Sequence, residues 1–108
     1  MTSLSGSFLA RARTDDADML VESQELLATL QHQCGGEIPG VIAIPELRTL
    51  VQKVRTSGLR LARTITAFDG TELVTAWVEA TPTGRAEGGC FIGVGSWQTS
   101  PMPDASEA

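Results

Sequence analysis

Three β-rich segments in the second half of the chain constrain the fold more than any other feature. They span residues 59–68, 72–81 and 89–98. The joint between the first two contains Asp69-Gly70, and residues 82–88 join the last two with proline and glycine, which is the chemistry of hairpin turns. The second half therefore predicts a three-stranded antiparallel meander.

Apolar side chains occur on both faces of this predicted meander. In the middle segment Val74, Ala76, Val78 and Ala80 share one face, whereas Leu73, Thr75 and Trp77 share the other. In the last segment the alternation sets Cys90, Ile92 and Val94 against Phe91, Gly93, Gly95 and Trp97. Because one helix covers only one face of a sheet, we expect the N-terminal segment or a second copy of the chain to cover the other.

The clearest helix precedes the meander and runs from Pro45 to about Ser57. Proline suits the first turn of a helix, and Gly58 follows where a left-handed cap is favoured. The apolar residues of this segment recur at helical spacing and form one stripe: Leu47, Leu50, Val51 and Val54. This helix is therefore predicted to pack against one face of the meander.

The first half of the chain gives weaker signals. Residues 19–22 favour a short strand, and residues 26–31 fit either a second strand or one turn of helix. Residues 34–40 hold three glycines and a proline, which predicts an irregular segment. The fold class that results is α+β, with an antiparallel sheet and one main helix.

A length of 108 residues suits one domain. We place this domain at residues 18–98. Residues 1–17 are expected to form a flexible or short helical lead-in, and the proline-containing residues 99–108 are expected to form a disordered tail or linker.

Charge and hydropathy exclude several classes of protein. Thirteen acidic residues against eight basic ones give a net charge of −5, which argues against binding to nucleic acid or to anionic membranes. No apolar run approaches the roughly 20 residues of a membrane span, and the N-terminus lacks the pattern of a secretory signal. Cys34 and Cys90 form no CxxC pair. We expect a cytoplasmic protein with reduced thiols.

The order of elements resembles a PAS sensory domain: a short strand pair, an irregular helical middle, a longer helix and three antiparallel strands. Residues 18–26 are similar to the opening PAS strand and its polar turn. Phe68-Asp69-Gly70-Thr71-Glu72 resembles the "DG" turn between the third and fourth PAS strands, and residues 89–97 resemble the final strand. This resemblance covers residues 18–98.

A narrower resemblance links the chain to the N-terminal sensory region of alphaproteobacterial sensor histidine kinases. It is carried by Cys34-Gly35-Gly36, by residues 58–63 and by the last strand, which ends in tryptophan. It implies a non-catalytic input and dimerisation domain of a bacterial two-component system, in which a ligand or partner changes the packing of the sheet. Ser96-Trp97-Gln98 stands where PAS domains often have Asp-Ile-Thr, so the carboxylate that makes the usual output contact is missing here.

Two sets of candidate site residues follow. The residues that would line a small-molecule pocket between helix and meander are Leu47, Leu50, Val54, Val74, Trp77, Val78, Cys90 and Ile92. The same side chains would equally make a dry core, and the sequence leaves this open. The residues that would form a homodimer contact are Phe8, Leu9, Phe91 and Trp97.

Cofactor and enzyme hypotheses find little support. His32 and Cys34 supply two metal ligands where a structural site needs four, and His32 is not placed where PAS domains usually ligate haem. Cys34 lacks the Asn-Cys-Arg-Phe-like context of flavin-binding PAS domains. We therefore predict no metal, haem or flavin. The alternatives to a sensory module are a stand-alone interaction domain that homodimerises through its sheet, and a small enzyme using Cys34 or His32.

Overall fold

The computed structural model describes residues 8–84 and 88–101 of the chain. Its elements in chain order are β1 (Ala10–Thr14), β2 (Met19–Ser23), α1 (Leu27–Gln33), β3 (Gly40–Val41), α2 (Pro45–Ser57), β4 (Leu61–Phe68), β5 (Glu72–Pro82) and β6 (Cys90–Pro101). The strands form one antiparallel six-stranded sheet with the order β3-β2-β1-β6-β5-β4. The predicted α+β class is confirmed.

Helix α2 has the predicted bounds and buries the predicted stripe. Leu47, Leu50, Val51 and Val54 are each almost completely buried. Burial of an aliphatic side chain of this size contributes about 1.5–3 kcal/mol, so the stripe is the main attachment of the helix to the sheet. Gly58 caps the end of the helix, with a left-handed φ of 72° and an N–H that donates to the Val54 carbonyl at 2.8 Å.

The C-terminal meander is also confirmed, with β5 between β4 and β6. Strand β6 is longer than predicted, because it includes residues 99–101 of the predicted tail. These residues pair with the start of β5, from Glu72 to Val74, which gives that strand a partner along its whole length. Residues 102–108 of the predicted tail lie outside the described residues, as do residues 85–87 of the β5–β6 joint.

The N-terminal part differs from the predicted lead-in. Residues 10–14 form β1, which lies between β2 and β6 and is hydrogen-bonded on both sides. The small side chains of Ala10 and Ala12 are buried, and the buried Thr14 hydroxyl accepts a hydrogen bond from the Cys90 N–H at 3.0 Å. Backbone pairing with two neighbours thus orders a segment with little apolar content. Residues 1–7 of the lead-in lie outside the described residues.

Residues 26–31 belong mostly to helix α1, which resolves the two alternatives for this segment in favour of helix. The helix presents the fully buried side chain of Gln31 to the irregular segment that follows. The Gln31 amide nitrogen donates to the carbonyls of Glu37 at 3.0 Å and Val41 at 2.8 Å, and its oxygen accepts from the Ala43 N–H at 2.9 Å. The Gln31 side chain therefore supplies hydrogen-bond partners to backbone groups of the irregular segment that no helix or strand bond satisfies.

Replacing Gln31 by alanine is expected to destabilise the fold by about 2–4 kcal/mol, because three backbone groups lose their partner in or near the core. The free energy of unfolding in urea, followed by circular dichroism, measures the change. Gln33→Ala is the matched control, since Gln33 is exposed on the same helix. Equal stability of the two variants would contradict the structural role of Gln31.

The turn between β4 and β5 is closed by Asp69. Its carboxylate accepts hydrogen bonds from the N–H groups of Thr71 at 2.8 Å and Glu72 at 2.7 Å. These bonds favour the charged form and lower the pKa of the Asp69 carboxyl from its ordinary value of 3.8. The turn is therefore tied to the ionised state of one side chain.

The lowered pKa makes the contribution of Asp69 to stability depend on pH. It is fully present above the unfolded-state pKa of 3.8 and is lost as the pH falls through the lower folded-state pKa. We expect Asp69→Asn to be less stable than the natural chain near neutral pH, with the difference shrinking below pH 3.8. Urea unfolding across this range measures the change. Glu25→Gln, at an exposed carboxylate, is the control, and a difference independent of pH would contradict the assignment.

Candidate functional site

The two helices lie on the same face of the sheet. Helix α2 packs against β4, β5 and β6, and helix α1 packs against β1. The other face carries no helix among residues 8–84 and 88–101. We call it the outer face, and it presents the alternate residues of β1, β5 and β6, including Arg11, Trp77, Glu79, Phe91 and Gly93.

Large aromatic side chains stand exposed on the outer face. Phe91 is 52% exposed and Trp77 is 44% exposed. The Phe8 ring lies directly over Gly93, where an added methyl group would come within 2.6 Å of the ring. Glycine at this position therefore allows the residue before β1 to fold back onto the sheet, and Phe8 covers part of the outer face.

A charged row crosses the outer face beside these rings. Arg11, Gly93 and Glu79 are cross-strand neighbours on β1, β6 and β5. The Arg11 guanidinium lies 5.9 Å from the centre of the Phe8 ring, and Glu79 is 3.6 Å from Arg60. A depression of about 230 Å³ is lined by this row together with Phe8 and Phe91. The outer face thus combines opposite charges with exposed apolar surface.

A β-bulge changes the face on which the end of β6 lies. Trp77 pairs with Ser96 but Val78 pairs with Val94, so Gly95 is an extra residue in β6. The Trp77 indole lies over Gly95, where an added methyl group would meet the ring at 2.8 Å. Beyond the bulge the alternation is inverted, and Trp97 pairs with the buried Ala76.

The predicted dimer residues are therefore not all on one face. Phe8 and Phe91 lie on the outer face, and Leu9 is exposed just before β1, where its N–H donates to the Val94 carbonyl at 2.8 Å. Trp97 is half-buried against the hydrophobic core on the helix-covered side. Strict alternation would put Trp97 on the same face of the sheet as Phe91. The bulge at Gly95 puts the two side chains on opposite faces.

The predicted pocket residues occupy two different places. Seven of them lie together in the packed core, each no more than 2% exposed: Leu47, Leu50, Val54, Val74, Val78, Cys90 and Ile92. Trp77 lies on the outer face, because its position on β5 alternates with Val78. The structure brings the seven together by packing one against another.

The predicted reactive residues have ordinary structural contacts. His32 Nδ1 lies 3.2 Å from the Gly36 carbonyl, and the Cys34 thiol donates to the Phe68 carbonyl at 3.7 Å. Partial burial, and to a smaller extent the negative charge of Asp69, raise the pKa of the Cys34 thiol, and burial raises that of Cys90. A raised pKa reduces the fraction of nucleophilic thiolate at neutral pH.

Residues 8–84 and 88–101 contain no group of three or more His, Cys, Asp or Glu side chains placed to hold a metal ion. They also contain no helix with the length and apolar character needed to cross a bilayer.

Comparisons with protein-family models, with curated proteins and with solved structures find no match to this chain. The class that the structure defines is an α+β domain with a curled antiparallel sheet, two helices on one face and an outer face that carries aromatic and charged side chains.

Alkylation tests the protonation state of Cys34. We expect iodoacetamide to modify Cys34 more slowly than a free cysteine near neutral pH, because burial and Asp69 disfavour the thiolate. Asp69→Asn is expected to speed the reaction, since it removes the nearby negative charge. Mass spectrometry after timed quenching measures the rate, and Cys34→Ser identifies the modified site. A native rate equal to that of the free amino acid would contradict this prediction.

Proposed function

We propose that this chain is a non-catalytic, PAS-like sensory and dimerisation module that serves as the input domain of a two-component histidine kinase. The chain order of a strand pair, a short helix, a longer helix and an antiparallel meander is compatible with such a domain. The observation that carries the proposal is the outer face, where Phe91 and Trp77 remain about half exposed while both described helices pack against the other face of the sheet.

A second copy of the chain is the occupant that best fits the outer face. A twofold axis parallel to β6 would exchange the two sides of that strand, so β1 of one copy would face β5 of the other. Arg11 and Glu79 lie in one cross-strand row on opposite sides of β6. Packed sheets are about 10 Å apart, which two long side chains span. Arg11 of each copy would therefore face Glu79 of the other copy.

The same axis would set the two Phe91 side chains close together. Phe91 lies on β6 itself, two positions from Gly93 and on the same face. Contacts between exposed aromatic rings supply much of the binding energy at interfaces, and rings at the centre of a contact contribute most. Opposite charges on either side of β6 would then fix the orientation of the two copies.

The packed core favours the second candidate, a stand-alone interaction domain that binds nothing small. Seven predicted pocket residues fill the space between α2 and the sheet with each other's side chains. The two candidates share the dimer and differ in whether the domain holds a ligand. A domain that responds to a bound partner protein, with no ligand in its core, is consistent with both candidates.

Native mass spectrometry of the intact chain tests the proposal, because one spectrum reports both dimer mass and retained small molecules. We expect a dimer, and we expect Phe91→Ser to raise its dissociation constant by at least about tenfold. Leu59→Ser is the matched control, since Leu59 is 63% exposed but lies outside the outer face, between α2 and β4. Added mass on the dimer would favour ligand sensing over the stand-alone alternative.

Charge reversal tests the twofold arrangement. Arg11→Glu and Glu79→Arg are each expected to weaken the dimer. The double variant is expected to recover part of the loss, because the row is again complementary although the ion pair of Glu79 with Arg60 is lost. A natural chain that stays monomeric at high micromolar concentration would contradict the dimer proposal. Failure of the double variant to recover would contradict only the proposed orientation.

A further inference from the structure

Among residues 8–84 and 88–101, strand β4 forms one edge of the sheet and pairs only with β5. The Asp69 N–H donates to the Glu72 carbonyl, so these two residues form a hydrogen-bonded pair. Such pairs occur at every second position of an antiparallel ladder, so the odd-numbered residues from Leu61 to Ala67 direct their backbone N–H and C=O groups toward β5. The even-numbered residues direct theirs away from the sheet. The Thr66 N–H confirms this direction, because it donates outward to the Glu46 carboxylate at 2.8 Å.

One half of this edge is closed by other parts of the chain. Glu46 accepts the Thr66 N–H, and the Cys34 thiol reaches the Phe68 carbonyl at 3.7 Å. In the other half, the backbone N–H and C=O groups of Ala62 and Thr64 have no hydrogen-bond partner among the residues that the structure describes. An open stretch of strand edge is a template for a further strand.

A groove lies beside the open half of β4. It has a volume of about 550 Å³ and lies between the exposed side of α2 and the start of β4. Leu59 and Leu61 give it an apolar wall, and Lys53 and Thr56 of α2 line the opposite wall. A strand added to β4 would direct every second side chain into this groove, because side chains alternate between the faces of a sheet.

Two basic side chains lie at or beside the groove in a chain whose net charge is −5. Lys53 lines it, and Arg63 is exposed on the same side of β4 as Leu61. Arg60 lies on the other side of β4, where it pairs with Glu79 of the outer face at 3.6 Å, and it is not part of the groove. Because Lys53 and Arg63 are positively charged groups on this side of the edge, the complementary ligand carries acidic side chains.

We propose that the open half of β4 binds an extended acidic segment of a partner protein by strand addition. The backbone of the segment pairs with Ala62 and Thr64. Its inward side chains alternate between apolar groups, which contact Leu59 and Leu61, and carboxylates, which pair with Lys53 and Arg63. This site is separate from the outer face, so it does not depend on the dimer proposed above.

The probe is a fluorescently labelled peptide with threonine at every second position. The positions between the threonines are occupied by glutamate and valine in turn. Fluorescence anisotropy with the full chain measures its dissociation constant, and the same peptide with lysine in place of glutamate is the peptide control. We expect binding of the acidic peptide alone. Lys53→Gln and Arg63→Gln are each expected to weaken it by about threefold to tenfold, and Arg13→Gln, the same charge change away from the groove, by less than about twofold.

Thr64→Pro separates strand addition from charge attraction. Proline is tolerated at an edge position whose N–H faces solvent, but it removes the donor and blocks a neighbouring strand. We expect this variant to keep the circular dichroism spectrum of the natural chain and to lose peptide binding by at least about tenfold. The proposal is overturned if the peptide does not bind, or if Thr64→Pro folds and binds it equally well. A change of oligomer mass on Thr64→Pro would assign the edge to a second copy and would also overturn the proposal.

Discussion

The one-sided packing of the helices is the constraint on which the rest of the structure depends. The stripe of α2 gives the sheet a core on one face, and the side chains of that core are almost fully excluded from water. The opposite face must then either be polar or be covered. One face of an antiparallel sheet can be exposed to water, but only where the side chains on that face are polar. Here that face carries rings and paired charges, and Phe8 already covers Gly93.

The sequence is sufficient to predict the parts of the fold whose signals are local. The α2 stripe, its proline start and its glycine end are all contained in fourteen consecutive residues, and the hairpin residues at Asp69-Gly70 act within one turn. Strand β1 escapes prediction because its Ala-Arg-Ala-Arg-Thr sequence has little strand preference of its own. It is ordered by pairing with β6, which is about eighty residues away along the chain.

The candidate site shows where alternation fails as a guide. Alternation puts Trp97 on the same face as Phe91, and one extra residue at Gly95 reverses that assignment. The glycine is visible in the sequence, but a glycine in a strand marks a bulge only in some cases. The pocket hypothesis groups Trp77 with residues of opposite parity, so no regular strand could bring all eight side chains together. The Arg11–Glu79 row can be recognised only when the register of three strands is known, and the sequence alone does not give that register.

The bulge in β6 inverts the alternation of its side chains. Before Gly95 the strand presents Phe91 to the outer face and Ile92 to the core, and after it Trp97 lies on the core side. The odd-numbered residues of β6 therefore belong to the outer face before the bulge and to the core side after it. Removal of Gly95 would restore strict alternation and turn Trp97 to the outer face, so one backbone residue decides what surrounds the end of this strand.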